Sequence, residues 1–235
     1  MANSFFQFKE FRIDQDRSGM KVTTDACFFG ALIEPVKSGS ILDIGAGTGL
    51  LSLMLAQRTK AEIQAVEINE EAFFQASQNF ENSPWSENLS CQNIAVQNFR
   101  PSLLNDQIIC NPPFFDASLK GISVDKNQAV HSISLTQEEL IIACESFLKP
   151  DGSVWIMYPE YEMDQFINKA KAQGFFTSQQ IILRNRPESQ VFRKIIEFKK
   201  NDQIVFEQKE YNIRNKNDRY SSEFIDLLKP YYLHL

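Results

Sequence analysis

Two short stretches of this 235-residue chain combine residue types that can do chemistry. The first is Asp43-Ile44-Gly45-Ala46-Gly47-Thr48-Gly49, with Glu67 downstream. Glycines at alternate positions between a strand and a helix let the backbone turn sharply and let a ligand come close to it. An acidic residue ending the following strand, 22 positions after Gly45, can accept hydrogen bonds from both hydroxyls of a ribose. That pairing suits a nucleoside-containing cofactor. A dinucleotide fingerprint would read GxGxxG, but position 50 is leucine, so the close approach of a pyrophosphate to a helix N-terminus is less well served.

The second stretch is Asn111-Pro112-Pro113-Phe114. Asparagine offers one acceptor and two donors, and Pro112 holds a carbonyl on a backbone of fixed φ. The Asn111 amide oxygen and the Pro112 carbonyl can together accept both hydrogens of a planar exocyclic amine. Phe114 adds a face on which a purine can stack, worth about 1–3 kcal/mol per base. Alone, an Asn-Pro-Pro turn is often a plain loop. Placed after a strand of the sheet that carries the glycine loop, it stands where open parallel sheets bind ligands.

The elements that must position these residues follow from hydropathy spacing. Ser40–Ile44 reads as a strand, and Leu50–Ala56 as a buried helix ending near Arg58. Ile63–Glu67 is the next strand, followed by a helix from Glu70 to Phe80, a strand near Leu89–Ile94, and a strand at Gln107–Cys110 stopped by Pro112-Pro113. Thr136 with Glu139 is a capping-box signature for a helix running to Phe147. Pro150-Asp151-Gly152 reads as a turn before a strand at Ser153–Met157. Such alternation argues for a parallel sheet with helices on both faces. Beyond residue 160, a helix near Met163–Ala172 ends at Gly174. Ile181–Leu183, Val191–Phe198 and Ile204–Phe206 then read as antiparallel strands completing the sheet. Phe5, Phe6, Phe8 and Phe11 pack on the body or form a short hairpin, with RNA stacking as the alternative.

Composition narrows the class. Hydrophobic residues make up 43% and charged residues 23%, which excludes disordered and collagen-like chains. No apolar run approaches the ~18 residues of a membrane span, and the N-terminus does not read as a secretory signal. Four dispersed cysteines without a CxxC pair and only two histidines support neither a disulfide framework nor a zinc site, as expected of a reduced cytosolic protein without metal. The net charge of −6 argues against a basic nucleic-acid coat protein. Residues 184–229 nevertheless hold 11 Lys/Arg against 8 Asp/Glu, so a local basic face on an acidic body is one reading and a solvated mixed surface the other. Arg184, Arg186, Arg193, Lys194, Arg214, Lys216 and Arg219 are the candidate phosphate contacts.

DIGAGTG, VEIN and NPPF, in this order and spacing, resemble the class I S-adenosylmethionine-dependent methyltransferases, in the branch that methylates amines. Asp16-Arg17-Ser18-Gly19-Met20-Lys21-Val22-Thr23-Thr24-Asp25 with Phe28-Phe29-Gly30-Ala31, Ser83-Pro84-Trp85, and Arg219–Phe224 running to Tyr231-Tyr232-Leu233 are similar to bacterial members that methylate N6 of adenine 37 in a valine tRNA. The resemblance implies a Rossmann-like, doubly wound, mostly parallel sheet with an antiparallel C-terminal strand pair, as one domain over residues 1–235. Within it, residues 1–35 would close over the cofactor, 36–160 would form the binding core, and 161–235 would complete the sheet and meet RNA. It implies S-adenosylmethionine held by Lys21, Thr24, Asp43, Gly45, Ala46, Gly47, Gly49, Glu67, Gln97 and Asn111, and catalysis by Asn111, Pro112 and Phe114. A tRNA substrate, a monomer, a cytoplasmic location, and no metal or membrane complete the expectation.

Two departures stand out. The family commonly places an acidic residue after the third strand to hold the cofactor's adenine amine, whereas Ala95-Val96-Gln97 stands here. Its N-terminal segment usually reads KVGTD, whereas this chain has Thr23 in place of the glycine. His131 matches a position near the target pocket in similar sequences, with Val130 where an arginine is expected; a surface histidine is the alternative. The same amine chemistry could serve guanine N2 of ribosomal RNA or a protein glutamine amide. A nucleotide-binding oxidoreductase or a non-catalytic RNA-binding module would share the fold.

Overall fold

The computed structural model describes residues 3–17, 19–112 and 135–235. An N-terminal hairpin of β1 (Phe5–Gln7) and β2 (Arg12–Asp14) leads to helix α1 (Thr24–Leu32). Strand β3 (Ser40–Ile44), helix α2 (Leu50–Ala56), strand β4 (Glu62–Glu67), helix α3 (Glu70–Glu81) and strand β5 (Leu89–Asn93) follow. Then come β6 (Asn105–Cys110), α4 (Gln137–Phe147), β7 (Leu148–Tyr158), α5 (Glu160–Ala172), β8 (Phe176–Arg184), β9 (Val191–Lys199), β10 (Glu207–Asn212) and α6 (Ser222–Leu228). Asn69 caps α3, and the Thr136–Glu139 capping box opens α4 as the sequence predicts.

Eight strands form one sheet in the order β10-β8-β9-β7-β6-β3-β4-β5. From β3 the chain passes outward to β4 and β5, then returns to β6 on the other side of β3, so the strand order reverses at β3. Ligands bind at such a switch point, beyond the carboxyl ends of the strands. Side-chain alternation divides the core between two faces. Ile41, Ile109, Trp155 and Ile195 pack with α1, α2, α6 and the hairpin's Phe8 and Phe11, while Leu42, Ile108, Val154 and Ile196 pack with α4 and α5. With both faces covered, the central strands are apolar almost throughout.

Three details differ from the sequence reading. Ile204–Phe206 is not a strand: Val205 and Phe206 are largely exposed, and the last strand is the following, more polar Glu207–Asn212. That strand runs parallel to β8, so the antiparallel contribution is β9 alone, paired on both sides. Pro150-Asp151-Gly152 belongs to a bulge near the start of β7, whose pairing with β6 skips from Asn105↔Leu148 to Gln107↔Ser153.

Candidate active site

The glycine loop lies between β3 and α2 at the carboxyl edge. The Val66 carbonyl accepts from the amides of Gly45 (2.9 Å) and Ala46 (3.3 Å), and the Ala46 carbonyl accepts from Gly49 at 2.8 Å. Gly45, Gly47 and Gly49 have φ of 74°, 58° and 82°, all in the left-handed region. Their surroundings differ. Side chains at Gly45 and Gly47 would project into open space, whereas one at Gly49 would collide with the Phe80 ring. Gly45 and Gly47 therefore leave room for a ligand, and Gly49 seats α2 against α3.

Glu67 fixes the loop from below. Its Oε2 accepts from the Gly47 amide and its Oε1 from the Asn69 amide, each at 2.8 Å. Each carboxylate oxygen retains an acceptor direction, the number a ribose diol needs. Glu67, Gly45, Ala46, Gly47 and Lys21 line a cleft of about 220 Å³ together with the apolar Ile44, Val66, Ile94 and Val96.

Asn111 and Pro112 close the far end of this cleft, directly after β6. Asn111 Oδ1 is buried and has no hydrogen-bond partner among the described residues. A buried acceptor left unpaired costs about 1–3 kcal/mol, so an acceptor held at the wall of a ligand-sized cleft fits a donor that arrives with a ligand. The neighbouring Cys110 thiol is driven up by burial and donates to the Ile44 carbonyl at 3.0 Å, so it is no nucleophile. Pro113, Phe114 and His131 lie outside the described residues.

Three of the expected cofactor contacts stand behind the wall. Gly49 has the packing role above. Asp43 is fully buried, with Oδ2 accepting from Ser52 Oγ at 2.7 Å and the carboxyl group pushed up to about 7 by burial. Thr24 is the first residue of α1 and does not line the cleft; Thr23 is the residue that caps that helix, accepting from the Ala26 amide. Lys21 does face the cleft, and its ammonium donates to the Gln15 carbonyl. Gln97 lines the mouth near Glu139, whose carboxyl is held below the usual range by the Thr136 amide, Gln97 and the Thr136 hydroxyl. The Gln97 amide oxygen is an acceptor available to an amine.

A buried amide network lies outside the sequence reading. Asn79 donates to the carbonyls of Asp14 and Thr48 and accepts from the Asp14 amide, each at 2.9 Å, tying hairpin, glycine loop and α3 together. Gln75 accepts from the Arg17 amide, and Gln15 from the Val22 amide. The available signal was two amides four residues apart on the face of α3 that also carries Ala72, Ala76 and Phe80.

A family model described as the methyltransferase small domain matches residues 24–173. A tRNA1(Val) (adenine(37)-N6)-methyltransferase of Cytophaga hutchinsonii is 40% identical, over all of both chains. Another of the same name, from Dyadobacter fermentans, is 41% identical over 98% of each. The chain belongs to the tRNA1(Val) (adenine(37)-N6)-methyltransferase family. Its fold is shared with a predicted O-methyltransferase from Agrobacterium tumefaciens, at a TM-score of 0.69 and 17% identity over 87% of this chain and 95% of that one. In this methyltransferase no helix among the described residues is long and apolar enough to cross a membrane, and no group of three or more His, Cys, Asp or Glu there is placed to hold a metal.

The seven basic residues expected to meet phosphate separate. Arg193 is largely covered and paired with Asp25 at 2.8 Å, and Lys194 is buried between Glu160 and Asp164. Arg184 is mostly covered and paired with Glu210. These three serve the fold, because a cation in a nearly dry setting must have a carboxylate partner. Arg186, Arg214, Lys216 and Arg219 remain at the surface.

Proposed function

We infer that this chain transfers the methyl group of S-adenosylmethionine to N6 of adenine 37 in a valine tRNA. The observation that carries the reading is the joint placement of Glu67, beneath an open glycine loop, and the unpaired Asn111 Oδ1 at one carboxyl edge. When bound, the cofactor supplies an electrophilic methyl group on a sulfonium. Glu67 would hold its ribose, Gly45 to Gly47 would pass beneath it, and Gln97 would accept from its adenine amine. Asn111 Oδ1 and the Pro112 carbonyl would accept the two hydrogens of the target N6. An exocyclic amine is a weak nucleophile because its lone pair is delocalised into the ring. Hydrogen bonds to both N–H groups favour the localised lone pair and aim it, so acceleration comes from positioning and fixed dipoles rather than from a strong base. Phe114 would stack the extruded base.

We further read the protein as a cytoplasmic monomer of one domain. Phe8, Phe11 and Tyr231, far apart in sequence, share one core cluster, which supports the single domain.

The test is Asn111→Ala with unmodified tRNA. Turnover should fall at least ~100-fold, while S-adenosylmethionine affinity stays within about threefold. Turnover near wild type would remove Asn111 from the chemistry. Nucleoside analysis of the product separates N6-methyladenosine in tRNA from N2-methylguanosine in ribosomal RNA or from a methylated protein amide.

A further inference from the structure

We propose that the two loops after β8 and β10 form a phosphate-binding platform that grips the RNA strand flanking the target base. The proposal rests on the RNA-methyltransferase reading above. Because β8 and β10 run parallel to β6, through two successive antiparallel pairings with β9, their carboxyl ends lie at the same edge as Asn111. The loops they feed, residues 185–190 and 213–220, are therefore neighbours of the cleft opening.

Backbone bonds join the loops into one unit. The Ile213 amide donates to the Arg184 carbonyl at 2.9 Å and the Arg214 amide to the Asn185 carbonyl at 3.0 Å. Two reciprocal ion pairs cross between them: Arg186 with Asp218 at 2.8 Å, and Lys216 with Glu188 at 3.6 Å. Arg214 lies over the Tyr220 ring and also reaches Asp218 at 3.7 Å, while Arg219 makes no ion pair among the described residues. Four cations thus meet two carboxylates, a balance of +2 on a chain whose total is −6.

Both carboxylates sit at unusual backbone. Glu188 and Asp218 are the two non-glycine residues with positive φ among the described residues, at 64° and 61°. Turns at these positions place each acid beside a cation of the opposite loop. The pairs are exposed, and exposed ion pairs contribute about 0–1 kcal/mol. They pre-order the long basic side chains yet release them at little cost to a phosphate, which an arginine can grip with two parallel hydrogen bonds. Residues that serve as internal partners in the free protein become RNA contacts by exchange.

The distance fits. From β6 to β8 is three strand spacings and to β10 four, about 14–19 Å at ~4.8 Å each. At ~3.4 Å per stacked nucleotide, that is about four to six nucleotides along one strand. A base inserted beside Asn111 would leave the backbone of its flanking stem over the two loops.

The test uses the full chain, S-adenosylmethionine and unmodified valine tRNA, with initial rates and binding measured across a salt series. The triple variant Arg186→Ala/Lys216→Ala/Arg219→Ala should raise KM for tRNA about tenfold or more. It should also flatten the slope of log K against log salt by about two to three, near 0.7–0.9 per lost contact. Cofactor affinity should stay unchanged. Asp218→Asn keeps a residue that tolerates positive φ but removes the competing charge, so it should tighten tRNA binding by two- to threefold. A triple variant with wild-type KM and slope would overturn the platform, as would an Asp218→Asn variant that binds tRNA more weakly. Wild-type protein that transfers no methyl group to tRNA would overturn the parent reading instead, so the two failures are distinguishable.

Discussion

Two arginine–aspartate pairs in this molecule have the same length and opposite settings. Arg193–Asp25 and Arg186–Asp218 both close at 2.8 Å, but the first pair's side chains are 14% and 8% exposed and the second pair's are 58% and 58%. Arg193–Asp25 ties β9 to the first turn of α1, whose preceding residues Lys21 and Val22 line the cofactor cleft. Arg186–Asp218 joins two surface loops. Distance does not set the worth of such a pair. Water and salt screen the exposed one, whereas the buried one has given up hydration that its partner must help replace. The edge is thereby divided into a half held rigidly for a small cofactor and a half held loosely for a charged polymer.

Breaking both pairs tests this division. Arg193→Met leaves Asp25 charged and buried, so unfolding free energy should fall by about 3–5 kcal/mol. Cofactor affinity should fall with it, because the wall carrying Lys21 loses its anchor. Arg186→Ala should cost no more than ~1 kcal/mol and leave cofactor affinity unchanged. Denaturant unfolding and cofactor titration of the two variants read both quantities. Asp25→Asn/Arg193→Met should be more stable than Arg193→Met alone, since it removes the orphaned charge. Equal losses at the two arginines would mean that burial does not distinguish the pairs.

Asp43 sharpens the contrast by adding a buried carboxyl with no cation beside it among the described residues. Burial raises its pKa to about 7, Ser52 opposes the rise, and the Glu67 charge adds to it. Between about pH 4 and 7 the folded chain keeps a proton that the unfolded chain has released. Stability from this group is therefore greatest below pH 4, falls as pH rises through that window, and levels off above 7. The full change is up to ~4 kcal/mol for a shift of about three units. Asp43→Asn should remove this component, so the stability difference between wild type and variant should drift against wild type from pH 4 to 7. A pH-independent difference would mean that Asp43 stays ionised throughout.

The rigid half was the more legible one. The Gly45–Gly49 loop, Glu67 and Asn111 announce themselves because the chemistry is local: a positive-φ turn needs glycine, a ribose needs an acid at a strand end, and a planar amine needs an acceptor pair. Helix α4 was equally plain, since its capping box lies within four residues. Long-range partners were not legible. Nothing near Asn79 in sequence indicates that it reaches Asp14 and Thr48, and Arg193 looks like any surface arginine until β9 is set against α1. The last strand misled for a related reason. Val205-Phe206 is the apolar pair, but at an exposed sheet edge the ladder with β8, not hydropathy, selects Glu207–Asn212.

The smallest effect concerns Thr23, where the family resemblance leads one to expect glycine. Thr23 has φ −119° and ψ 155°, ordinary extended backbone that needs no glycine, and its hydroxyl accepts from the Ala26 amide at a long 3.4 Å. The substitution thus supplies an N-cap to α1 without reshaping the loop. Replacing a capping threonine costs about 1 kcal/mol for alanine but a few tenths for glycine. In a chain of this size, 1 kcal/mol corresponds to a Tm shift of roughly 2–4 °C. Thr23→Ala should therefore lower Tm by no more than that, Thr23→Gly by about 1 °C or less, and neither should alter cofactor affinity by more than twofold. If Thr23→Gly weakened cofactor binding tenfold, the wall would depend on the stiffness of this residue and the rigid half would extend beyond the Asp25 anchor. If both variants match wild type, Asp25 and Gln15 alone hold the segment, and the departure at Thr23 is neutral.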